Sequence, residues 1–158
     1  MTAMTLEKSS QNSSEVELLS FRLAEEEYSV DIMSVREIRG WTRATPLPHA
    51  PMHVRGVINL RGTVLPVVDL SVRLGMEPVV GDARNVIIVV QVGSQTAGLL
   101  VNAVSDILAL PRTELQPPPE LAADCAHSFI EALTIVDGRM IRVLDLSAVL
   151  PDENAEAA

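Results

Sequence analysis

The chain has 158 residues and a formal net charge of −9. That charge makes it a poor ligand for nucleic acid, whose affinity comes largely from counterions released by clustered Lys and Arg, and for anionic lipid. Hydrophobic residues reach 47% but aromatics only 3%, so the core must be built from Val, Leu and Ile, and Lys8 as the only lysine removes lysine-based catalysis and phosphate binding from consideration.

Residues 1–14 are polar, Ser-rich and aperiodic, and are expected to form a disordered tail. They lack the apolar centre that a secretory signal needs, so a cytoplasmic location is expected. The body of the domain is expected over residues 15–151. Glu17–Leu23 reads as a strand, Ala24–Glu27 as a turn, and Tyr28–Ile32 as a half-buried strand with apolar and polar residues alternating. Val35–Arg39 continues extended. Thr45–Pro51 holds three prolines and is expected to be irregular. Pro51–Asn59 is predicted to make one or two helical turns, with proline at the start, where its missing N–H costs little.

Thr63–Leu70 is the next predicted strand. Val86–Val92 is a continuous apolar run, as in a strand buried on both faces. Ala97–Val101, Val104–Leu110, Ala132–Val136 and Met140–Asp145 complete the strands. Leu121–Phe129, entered through Pro117, Pro118 and Pro119, is the predicted helix. Residues 152–158 form a short acidic tail expected to fray. Cys125 has no second cysteine to pair with, which suits a reducing compartment, and no apolar run is long enough to span a bilayer.

The sequence repeats itself. Placing Phe21 on Val90 also puts Leu23 on Val92, Val30 on Leu99, Ile32 on Val101, Val35 on Val104 and Ile38 on Ile107. Further on, GTVLPVVDLSVRL from Gly62 overlays GRMIRVLDLSAVL from Gly138, with Asp69 on Asp145. Many short strands in two similar halves predict a mainly β protein: a pair of small β-barrels, each too small for a generous core, packed together with short helices.

Motifs for catalysis are missing: there is no GxxxxGK[ST], GxGxxG, HExxH or GxSxG. His49 and His53 have a spacing that suits two metal ligands on a helix, but Pro51 lies between them and no third ligand is near. Cys125 and His127, two apart, point away from each other on a helix. Asp69 and Asp145 each precede Leu-Ser at a strand end and read as caps for nearby backbone N–H groups rather than as an acid–base pair. No catalytic, cofactor or metal site is expected. Arg61 occupies the turn Asn59-Leu60-Arg61-Gly62, where the second half has Asp137. The fold therefore does not require arginine there, and a side chain with five donors at a turn edge suits protein contact.

YSVDIMSVREIRG at Tyr28–Gly40, VRGVINLRGTVLPVVDL at Val54–Leu70 and GLLVNAVSDIL at Gly98–Leu108 resemble the CheW-like family, in order, over about Glu15–Pro151. Leu65 is a small departure, since the family often has Ile or Val there. The resemblance implies two five-stranded SH3-like barrels around a shared interface and a non-enzymatic adaptor of chemotaxis. It would bind the cytoplasmic tips of methyl-accepting chemoreceptors and the regulatory domain of the CheA histidine kinase, at the inner face of the membrane in receptor arrays. No small-molecule substrate, nucleic acid or membrane insertion is implied. Carried over, the receptor-contact residues are Val35, Glu37, Gly56, Arg61, Ile87 and Val104. Kinase contact falls on the barrel end near Tyr28, Val30 and Ile32. The alternative reading is a scaffold of the same kind in another chemosensory pathway, such as twitching motility, biofilm formation or gene regulation.

Overall fold

A computed structural model describes residues 15–79, 84–118 and 129–150. In chain order the strands are β1 (Glu15–Leu23), β2 (Glu26–Asp31), β3 (Val35–Gly40), β4 (Val54–Leu60), β5 (Thr63–Asp69), β6 (Val86–Val92), β7 (Gln95–Val101), β8 (Ala103–Pro111), β9 (Ile130–Val136) and β10 (Arg139–Leu144). Two one-turn helices, α1 (Leu70–Arg73) and α2 (Leu146–Val149), follow β5 and β10. Short 3-10 turns lie at Ile32–Ser34 and Arg112–Glu114.

The strands form two five-stranded sheets, ordered β8-β1-β2-β10-β9 and β3-β6-β7-β5-β4. Each sheet curls towards closure through a single bridge. Thr45, beyond β3, pairs with Val57 of β4, and Gln116, beyond β8, pairs with Leu133 of β9. The expected mainly β architecture is present, with these bridges in place of a full closing ladder.

The repeat is visible in detail. Ala24 (φ 57°) matches Gly93 (φ 60°), and the turn Arg61–Gly62 (φ 52° and 85°) matches Asp137–Gly138 (φ 52° and 77°). Both central residues at positive φ make these the tight turns whose twist fits a β-hairpin. The parallel pairs also match, with Val67 opposite Gly98 and Val143 opposite Ser29.

The sheets do not coincide with the repeated halves, however. The second sheet is one continuous stretch, Val35–Val101, inserted between β2 and β8 of the first. The chain crosses over at Ile32–Ser34 and returns at Asn102, so each half gives two strands to one sheet and three to the other.

Residues Pro51–Asn59 are not helical. Val54, Val57 and Ile58 are β-branched and stiff at χ1, which suits a pleated strand, and β4 pairs with β5 along its length. Gly56 adopts φ 147°, and a Cβ there would lie 2.2 Å from the Thr45 carbonyl oxygen. The prolines before it do remain irregular, with Val54 N–H closing a turn onto the Pro51 carbonyl at 2.9 Å. Of the predicted helix Leu121–Phe129, all but Phe129 lies outside the described residues, as do Cys125, His127 and both tails.

One main core spans both sheets. It includes Leu19, Phe21, Tyr28 and Val30 from the first, Ile58, Val67, Ile87, Val90 and Leu99 from the second, and Leu146 and Val149 of α2. Each fully buried aliphatic here contributes about 1.5–3 kcal/mol. The first sheet retains only a small separate cluster of Val16, Leu18, Leu110, Ala132 and Val143. Arg73 clamps α1 to α2: its guanidinium donates to the Val149 and Ala148 carbonyls, each at 3.0 Å, and lies 4.9 Å above the Phe129 ring.

Candidate functional site

β3 is an edge strand, and its side chains alternate. Val35, Glu37 and Arg39 are half-buried on one side, while Arg36 and Ile38 are exposed on the other. The ladder with β6 shifts between Val35 and Glu37. The β4–β5 turn brings Arg61 to the same place from 24 residues away. Its Nη2 donates to Glu37 Oε1 at 2.5 Å, while Arg39 Nη1 donates to Glu37 Oε2 at 3.0 Å. These bonds, Arg61's first, hold the Glu37 carboxyl below its ordinary pKa, and the same bond raises that of Arg61. The Arg61 side chain is 70% exposed and that of Glu37 only 24%. An exposed cation is thus tethered over a partly sheltered carboxylate.

The other expected contact residues separate into surface and core. Val35 and Val104 are half-buried and pack against the main core, on β3 and β8. Ile32 is half-buried in the 3-10 turn, beside Met33, which is 80% exposed. Gly56 is buried beneath Thr45, for the steric reason given above. Ile87, Tyr28 and Val30, expected at contact surfaces, are core residues with 0%, 2% and 0% exposure. Their strands are interior to the sheets and covered on the side these residues occupy, so they offer a partner no surface. Ile87 packs where Gly98 leaves room: a Cβ on that glycine would meet Ile87 Cγ2 at 2.7 Å. Tyr28 keeps only its hydroxyl engaged outward, donating to Glu26 Oε1 at 3.1 Å, with the Arg142 guanidinium 5.3 Å above its ring.

The two aspartates cap, as their spacing suggested. Asp145 accepts from Ser147 N and Oγ at the start of α2. Asp69, almost fully buried, accepts from Val72 N and Val79 N and from Arg55 Nε at 3.2 Å. Arg55 also donates to the Val79 carbonyl, which fastens the segment after α1 to β4. His49 and His53 do not share a helical face. His49 sits at φ 62°, and burial next to Arg73 pushes the pKa of His53 down. No group of three or more His, Cys, Asp or Glu side chains suited to a metal ion occurs among the described residues. Arg39, the second guanidinium on Glu37, was missed by sequence reasoning. Its signal was the two-residue spacing along VREIR, which places it on the Glu37 side of the strand.

The family model for the CheW-like domain matches residues 17–154. The chain is 54% identical over 142 residues to the chemotaxis protein CheW of Rhizobium meliloti, covering 90% of this chain and 92% of that protein. It is 50% identical over 147 residues to a probable chemotaxis protein CheW of Rhizobium etli, covering 93% and 95%. Among solved structures it is similar to the scaffolding protein TtCheW of Thermoanaerobacter tengcongensis, with a TM-score of 0.79, 32% identity, and coverage of 87% of this chain and 89% of that one. A strand-exchanged pair of five-stranded sheets, a family match over nearly the whole chain and relatives at half identity lead to one conclusion: the chain belongs to the CheW-like domain family and is a coupling adaptor of chemotaxis.

Proposed function

We propose that this adaptor joins transmembrane methyl-accepting chemoreceptors to the regulatory domain of a CheA-type histidine kinase, without catalysis of its own. It would work in the cytoplasm, held at the membrane only through the receptors. The receptor face is centred on Glu37 and Arg61, with Val35 and Val104 as its apolar flank. A helical receptor tip would lay an apolar stripe along that flank and take its register from the ion pair. The kinase face lies at the barrel end around Ile32.

The observation that carries the receptor face is the exposed Arg61 in a turn that has no need of it. Asp137 occupies the equivalent position at the same φ of 52°. The side chain is therefore free to serve a partner, and Glu37 only orients it. Arg61→Asp keeps a residue the turn accepts but sets a second carboxylate against Glu37. In a pull-down with a receptor signalling fragment and a kinase regulatory domain, this variant is expected to lose the receptor, keep the kinase and melt as the unaltered chain does. Loss of the melting transition would make Arg61 structural instead, and failure of the unaltered chain to bind either partner would reject the coupling role.

A further inference from the structure

The edge strands β3 and β8 are equivalent under the repeat, and their ladders agree in detail. Each ladder shifts register at the same place, passing over Arg36 in β3 and Ser105 in β8. Beyond the shift Ile38 lies opposite Ile88, and Ile107 opposite Leu19. Directly opposed residues share one face of a sheet, and Ile88 and Leu19 are both buried in the main core. Ile38 and Ile107 are nevertheless exposed, at 47% and 56%. Each edge strand therefore carries the main core out to solvent, through a half-buried valine (Val35 or Val104) and then an exposed isoleucine.

The charges break this symmetry. Glu37 of β3 is equivalent to Asp106 of β8, but the two carboxylates have different surroundings. Glu37 is held by Arg39 and Arg61, and the three together keep one net positive charge. The counterparts of those arginines in the second half are Leu108 and Asp137. Asp106 is exposed and makes no ion pair among the described residues, its Oδ1 accepting from the Ile107 N–H at 2.8 Å. That bond orients the carboxylate and leaves its charge unanswered.

Resting on the receptor reading above, we propose that Asp106, flanked by Val104 and Ile107, takes a lysine or arginine side chain of the receptor tip. Val104 already belongs to the receptor face, so Asp106 extends that face rather than founding another. The receptor segment would then carry an apolar stripe with a carboxylate at the Arg61 end and a cation at the Asp106 end. An apolar face with two similar halves cannot tell a helix from the same helix reversed. Opposite charges at its two ends can, because the wrong direction sets like charges together.

Asp106→Asn keeps the shape of the side chain and removes its charge. The affinities of the full chain for a receptor signalling fragment and for a kinase regulatory domain are measured by titration calorimetry, at about 0.1 M and about 1 M salt. Receptor binding by the variant is expected to weaken about fivefold at the lower salt, as for loss of an exposed ion pair. The difference is expected to vanish at the higher salt, with kinase binding and the melting transition unchanged. Asp106→Lys is expected to lose more, and to recover when one particular lysine or arginine of the fragment is changed to glutamate. Unchanged receptor affinity in both variants overturns the proposal and leaves the receptor reading intact. A loss that persists at high salt, or that no such reversal in the fragment relieves, overturns the cationic ligand. Loss of the kinase domain in place of the receptor overturns the assigned partner. No receptor binding by the unaltered chain overturns both readings.

Discussion

Arg55 and Glu131 occupy equivalent positions in the two halves, each beside a capping aspartate. In the first half the result is an ion pair with Asp69, and the segment ending at Val79 is fastened over it. In the second half Glu131 has carboxylates for neighbours instead. Burial, then Asp145 and Asp31, raise its pKa above the ordinary value of 4.5. A carboxyl whose pKa is raised by folding favours the folded state when protonated and penalises it when ionised. The penalty therefore appears as pH climbs above 4.5 and is complete above the folded-state pKa. Glu131→Gln removes it. Because the side chain is largely exposed, the expected gain in Tm is small, about 1 °C at pH 7.5, and it vanishes at pH 4. An equal gain at both pH values would show that charge is not the cause. The same comparison of halves identifies Arg61 as dispensable to its turn, whereas its contact with Glu37 could not be read from residues 24 apart in sequence.

At the scale of elements, β4 shows how a local signal misleads. Pro51 at the head of a segment suits the first turn of a helix, yet the strand is decided by its β-branched residues and by the bridge between Thr45 and Val57. Gly56 makes that close approach possible. Gly56→Ala is expected to cost about 3 kcal/mol, from a positive φ and a direct clash with backbone. Gly62→Ala, at φ 85° with open space around it, is expected to cost about 1 kcal/mol. Urea denaturation of both variants tests this, and equal costs would reject the steric account. The other strands were legible because alternation or a continuous apolar run is a direct image of burial, and nine of the ten strands among the described residues were found. Which face each apolar residue takes was less legible. Ile87 sits in a continuous apolar run, where composition could not separate a contact surface from the core, and Tyr28 and Val30 alternate with Ser29 and Asp31, a pattern that marks an apolar face without saying what covers it. The face of β3 was clearer, because Val35, Glu37 and Arg39 alternate with exposed neighbours.

For the whole molecule, similarity between the halves was visible in the chain, but connectivity was not. Repetition says which strands correspond and nothing of which sheet each joins. The inserted arrangement makes a specific prediction. A break between residues 79 and 84 separates the two repeats but divides the second sheet between β5 and β6. Fragments 1–79 and 84–158 are expected to show no cooperative melting by circular dichroism when alone, and to regain it when mixed. Independent melting of either fragment would mean that a half folds by itself. The two crossings between the sheets are short and pinned. Asp31 holds the Met33 N–H at the first, and at the second Asn102 donates its N–H to the Arg22 carbonyl and accepts from Ala24 N. A body joined to another by a single strap can swivel, but one held by two straps and the Arg73 clamp cannot turn without straining all of them. Torque applied at the proposed receptor face would thus be passed to the far sheet, and the adaptor would act as a stiff spacer that passes on orientation.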